Sequence, residues 1–127
     1  MIRRVRGTRA HGLVTPLLTT ASGAKFGKTE AGAVWLDPAR TSPYSFYQFW
    51  LNTDDRDVVA HLKRFTFLER AVIEQLEHET QDAPERREAQ RALARDMTIL
   101  IHGSDQLARA ERAASLLFSE NVTQLGV

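Results

Sequence analysis

The spacing of apolar and polar positions changes near Ser42. Upstream, residues 11–20 hold Leu13, Val14, Leu17 and Leu18 in one short run, bounded by Gly12 and a Thr/Ser cluster, which reads as a single β-strand. Pro16 within it cannot donate a ladder hydrogen bond, so the strand is expected at a sheet edge or a bulge. Residues 21–33 are rich in glycine and poor in large apolar groups, a surface loop. From Ser42 onward the apolar period becomes helical. Ser42 and Pro43 form a helix start, and the aromatics Tyr44, Phe46, Tyr47, Phe49 and Trp50 are too many for an exposed face, so most must pack. Thr53 is expected to cap a second helix, with Asp54 and Asp55 in its first turn and Val58, Val59, Leu62 and Phe65 along one side. A third helix is predicted over residues 68–81, with Val72, Ile73 and Leu76 inside. The fourth spans residues 84–102 with Leu93, Met97, Leu100 and Ile101, and Gly103 stops it. A fifth, capped by Ser104 or Asp105, buries Leu107, Ala110, Ala114, Leu117 and Phe118.

The expected fold is therefore mainly α: a bundle of four to five helices preceded by a short β-strand and a glycine-rich loop. One strand alone cannot satisfy its backbone groups or bury its faces. Residues 1–40 thus look like the rim of a sheet whose other strands lie elsewhere, residues 41–120 like a helical domain, and residues 121–127 like a tail.

Composition narrows the class. At 43% hydrophobic and 26% charged residues, the 127-residue chain matches an ordinary globular protein rather than a disordered one. The absence of cysteine removes disulfides and thiolate metal sites, and the four histidines show no ligand spacing, so no protein-bound metal is expected. No apolar run approaches the roughly 20 residues of a membrane helix, and no signal peptide is present, which suits a cytoplasmic location. The net charge of +1 is unevenly spread. Residues 1–29 hold Arg3, Arg4, Arg6, Arg9, Lys25 and Lys28 and no acid, whereas the rest is acidic. An anionic ligand is expected to meet the first part.

Gly27-Lys28-Thr29 invites comparison with a P-loop, whose template sets a glycine five positions before the second one. Here that position is Ser22, and Gly23 is one residue too near. A P-loop must also open a long helix, and Pro38 follows too soon. A phosphate-hydrolysing P-loop enzyme is the weakest of three readings.

The run from Gly12 to Leu68 carries more specific marks: the loop Lys25-Phe26-Gly27-Lys28-Thr29, then "WLD", "TSPYSFYQFW", "NTDDRDV" and "FTFLE", followed by "AQRALARDMT" and "HG". Together these blocks resemble the bacterial tyrosyl-tRNA synthetases, class I aminoacyl-tRNA synthetases, over residues 2–118. The loop resembles that family's version of the KMSKS signature. The resemblance implies that the lone strand edges a Rossmann-type sheet and that the helical part contacts the anticodon arm of tRNA-Tyr. It implies ATP and tyrosine as substrates, Mg2+ carried by the nucleotide, and a homodimeric full-length enzyme.

The chemistry is consistent with that. Activating an amino acid with ATP develops negative charge on departing pyrophosphate, and cations that close on it in the transition state lower the barrier. Lys25, Lys28 and Thr29 are the implied catalytic residues, and Lys25, Phe26, Gly27, Lys28 and Thr29 the implied ATP-binding set. Gly27 lets the backbone approach closely. Since the helical part is acidic, RNA contact must be local, with Lys63, Arg64, Arg86, Arg87 and Arg91 as candidates. The family's HIGH-type signature and tyrosine pocket are not in these residues, so the chain is expected to be part of a longer enzyme and inactive alone. The alternative is a non-catalytic RNA-binding or adaptor module that reuses the helical domain.

Overall fold

The protein is described by a computed structural model over residues 2–27 and 33–124, with side chains over 4–27 and 33–116. The described residues form six α-helices and one 3-10 turn: α1 (Ile2–Arg6), α2 (Pro43–Leu51), α3 (Asp55–Phe65), α4 (Arg70–Asp82), the turn Pro84–Arg86, α5 (Glu88–His102) and α6 (Ser104–Gln124). The mainly helical expectation holds. The strand does not form: residues 7–18 have no regular structure, and only an isolated antiparallel bridge joins Thr19 to Lys25. Leu13 is 96% exposed and Val14 89%, so no apolar surface here compensates the entropy of ordering an extended segment. The helix Ile2–Arg6 was not anticipated from the sequence.

α2 begins as its sequence requires. The Ser42 hydroxyl accepts a hydrogen bond from the Ser45 N–H at 3.2 Å, and Pro43 occupies the first turn, where its missing N–H costs nothing. The cap of α3 falls one residue later than expected. Asp54, not Thr53, accepts from the Arg56 N–H at 2.9 Å, because its carboxylate also takes the Arg56 guanidinium. Asp55 and Asp57 then stand at the positive end of the helix, and Lys63 and Arg64 at the negative end.

The helix expected over 84–102 is broken at its start. Pro84–Arg86 is a 3-10 turn, Arg87 takes a left-handed φ of 52°, and α5 starts at Glu88. Tertiary bonding holds this conformation, which is unusual for a residue with a Cβ. The Arg87 guanidinium donates to the Leu51 carbonyl at 2.9 Å and the Thr53 carbonyl at 3.0 Å, tying the turn to the end of α2. Gly103, at φ 86°, separates α5 from α6, which begins at Ser104 itself.

α5 is the centre of the bundle and packs against α2, α3, α4 and α6. Ala89, Leu93, Ala94 and Met97 are buried along it and meet Phe46, Tyr47 and Trp50 of α2, Val58 and Leu62 of α3, Ile73 of α4, and Leu107 and Ala110 of α6. The aromatic-rich helix is thus core, as its composition demanded. Two expected core residues are not: Val72 is 42% exposed and Leu100 56%. Their neighbours Ile73 and Ile101 are the ones packed on the core, and one step along a helix turns a side chain about 100° away. The side chains of Leu117 and Phe118 lie outside the described residues.

Candidate functional site: a glycine-jointed loop docked on a helical module

Residues 18–27 form a small hairpin-like turn. The Thr20 N–H donates to the Ala24 carbonyl at 2.9 Å, Gly23 N–H to the Thr20 carbonyl at 2.8 Å, and Phe26 N–H to the Leu18 carbonyl at 3.0 Å. The turn needs Gly23 at φ 83° and Gly27 at φ 80°, angles that other residues adopt only with strain. No atom lies within 4 Å of where a Cβ would stand at either glycine, so the backbone angle, not crowding, requires them.

Lys25 and Phe26 diverge from this turn. Lys25 is exposed, while Phe26 is half-buried. The Phe26 ring lies 4.9 Å from His61, 5.7 Å from Phe65, 5.8 Å from Trp50 and 6.1 Å from Phe49, centroid to centroid. These separations are those of favourable aromatic pairs. A second tie is polar: the Ala21 N–H donates to Asp57 Oδ2 at 2.9 Å. Between the loop and the start of α3 lies a cleft of about 630 Å³, lined by Lys25 and Gly27 on one side and Asn52, Asp54, Arg56 and His61 on the other.

Hydrogen bonds from Arg56 hold the Asp54 carboxyl well below the usual carboxylate range. His61 is 3% exposed, and neither ring nitrogen has a hydrogen-bond partner. Burial pushes its imidazole below its ordinary value, with Asp57 pulling weakly the other way. Among the described residues, no group of three His, Asp or Glu side chains could hold a metal ion.

Of the signature residues, the structure places Lys25, Phe26 and Gly27 together at the cleft; Lys28 and Thr29 lie outside the described residues. Among the described residues that follow the loop, no helix occurs before α2. Residues 33–42 form bends and turns, with the Asp37 carbonyl accepting from Arg40 and Thr41 N–H groups at 3.0 Å. The Trp35 ring is covered by the Arg40 guanidinium, 4.1 Å from its centroid.

The candidate RNA-contacting cations do not share one situation. Lys63 pairs with Glu77 at 3.5 Å across α3 and α4, and Arg91 with Glu88 at 3.6 Å. Arg86 borders a small cleft with the acids Glu79, Asp82 and Glu88. Arg87 is engaged with backbone carbonyls. Arg64 is exposed at the end of α3. The sequence reading missed His61 and Asp57 as partners of the loop. The only signal available was their helical spacing at i and i+4, which many exposed pairs share.

A helical module carrying a docked, glycine-jointed cationic loop defines a class, and comparison with known proteins agrees. The profile of the tRNA synthetases class I (W and Y) matches residues 1–119. The chain belongs to that family. Within it, the chain is similar to tyrosine–tRNA ligases. It is 55% identical over 126 residues to the one from Bacillus caldotenax, and 58% identical over 125 residues to the one from Roseiflexus castenholzii, covering 98% of this chain in both cases. It spans about 30% of the length of these curated relatives. Two solved structures are similar as well. One is a C-terminally truncated mitochondrial tyrosyl-tRNA synthetase from Coccidioides posadasii, with a TM-score of 0.67 and 44% identity, covering 80% of this chain and 26% of that one. The other, from Aspergillus nidulans, has a TM-score of 0.64 and 40% identity, covering 67% and 25%.

Proposed function

We propose that this chain is the part of a tyrosine–tRNA ligase that carries the pyrophosphate-stabilising loop and the helical tRNA-binding module. The observation that carries this reading is Lys25, solvent-facing at the rim of the cleft, on a loop whose Gly23 and Gly27 both adopt left-handed angles. In this proposal Lys25 and Lys28 neutralise the pyrophosphate that leaves ATP when tyrosine is activated, and Thr29 adds a hydrogen bond. Stabilisation of charge that develops only in the transition state raises the rate without over-binding the nucleotide. Mg2+ arrives with the nucleotide, and its chemistry is to screen the phosphates.

The edge of the Rossmann-type sheet belongs to the same proposal. Leu13, Val14 and Leu17 are exposed here, and an extended segment with that apolar content gains burial only by joining other strands. The helical module would meet the anticodon arm of tRNA-Tyr. Arg64 is the best-placed candidate contact, since it is exposed and, among the described residues, in no ion pair.

The test is tyrosine-dependent pyrophosphate exchange by a chain of the relatives' full length that contains these residues. Activity lost on Lys25→Ala supports the reading; activity that survives unchanged removes it. The 127 residues alone, spanning about 30% of the relatives, are expected to show no exchange.

A further inference from the structure

We propose that Phe26 is a positioning residue: its ring is the plug by which the helical module holds the loop and thereby presents Lys25. The meaning of Lys25 rests on the ligase reading above, whereas the docking itself does not.

Three observations converge. The Phe26 ring is enclosed by rings from two helices, Phe49 and Trp50 of α2 and His61 and Phe65 of α3. The neighbouring Lys25 stays exposed, so adjacent positions of one short extended piece serve opposite ends, one anchoring and one facing solvent. Gly27, with a left-handed φ and open space around it, follows the plug directly and is suited to act as its joint.

The pocket depends on its plug. His61 carries two unpartnered ring nitrogens in a buried site, an arrangement that costs free energy. An aromatic edge is a better neighbour for it than a void, and Phe26 supplies one at 4.9 Å. The Ala21 N–H bond to Asp57 fixes the other side of the turn on α3. The turn is therefore held at two points on one rigid helix, and the position of Lys25 follows α3. A rigid second layer of this kind places a reacting group to within a fraction of an ångström.

The experiment compares Phe26→Ala, Phe26→Leu and Asp57→Asn in the 127-residue chain by limited trypsin digestion and amide hydrogen exchange. Cleavage after Lys25 should accelerate about tenfold or more in Phe26→Ala, less in Phe26→Leu and Asp57→Asn, because opening of the loop becomes easier. The Gly23 and Phe26 amides should lose protection while α5 amides keep theirs. Unchanged cleavage after Lys25 would overturn the plug. Equal loss of protection through α3 and α5 would overturn it too, since Phe26 would then be a core residue only.

In a chain of the relatives' full length, Phe26→Ala should lower kcat for pyrophosphate exchange with the tyrosine KM unchanged, and Phe26→Leu should restore part of it. An unaltered kcat would overturn the positioning role. If the unsubstituted chain performs no exchange, the ligase reading fails, and the digestion result still decides whether the plug exists.

Discussion

The Phe26 ring meets the His61 imidazole edge-on, at 4.9 Å between centroids and 64° between planes. This contact joins two stretches that have no local relation in sequence, the glycine-rich loop and the middle of α3. It explains why a turn with only a few hydrogen bonds of its own has a defined place: the module supplies the apolar surface that the loop lacks.

His61 makes stability depend on pH. Burial lowers its folded-state value, so on acidification the unfolded chain takes up a proton first. Stability is full above the unfolded value of about 6.5 and falls as pH drops through that value towards the lower folded one. On its own helix Asp57 opposes this effect of burial and Arg64 adds to it, while Lys25, Asp54 and Arg56 line the same cleft. Urea unfolding at pH 7.5 and pH 5.5 should show a lower midpoint at pH 5.5, and His61→Gln should reduce that difference. A difference untouched by the substitution would refute this source.

Leu93 is fully buried at the centre of α5. Leu93→Ala removes its contacts and leaves a cavity, which typically costs about 2–5 kcal/mol. Thermal unfolding should show a clear drop in Tm, whereas Leu100→Ala, at an exposed position on the same helix, should change Tm little.

Arg87 and Arg64 should separate structure from recognition. Arg87→Ala strips donors from the Leu51 and Thr53 carbonyls and is expected to cost about 1–3 kcal/mol of stability. Arg64→Ala should leave Tm nearly unchanged. If Arg64 meets a phosphate, it should weaken tRNA-Tyr binding and reduce the salt slope of the affinity by about one. Titrations with tRNA-Tyr at two salt concentrations check both.

Lys25→Ala in a chain with exchange activity should reduce kcat by about a hundredfold, the usual effect of removing one electrostatic contact to a transition state. Tm should not move, because Lys25 is exposed.

The sequence by itself determined the parts of this protein that depend on local chemistry. Ser42 and Pro43 start α2, Gly103 ends α5, and the apolar spacing along α3 and α5 specifies most of the buried face, because capping and helical periodicity act within a few residues. The signature loop was legible for the same reason, its lysines and glycines being contiguous. What only the tertiary structure decided required residues far apart to meet. The left-handed Arg87 is held by carbonyls at the end of α2, and the outward turn of Val72 and Leu100 reflects which helix faces found partners. The burial of Phe26 against His61 depends on two helices closing around a loop. The short apolar run at residues 11–20 shows the converse: its pattern suits a strand, yet a strand forms only where neighbouring strands complete its hydrogen bonds.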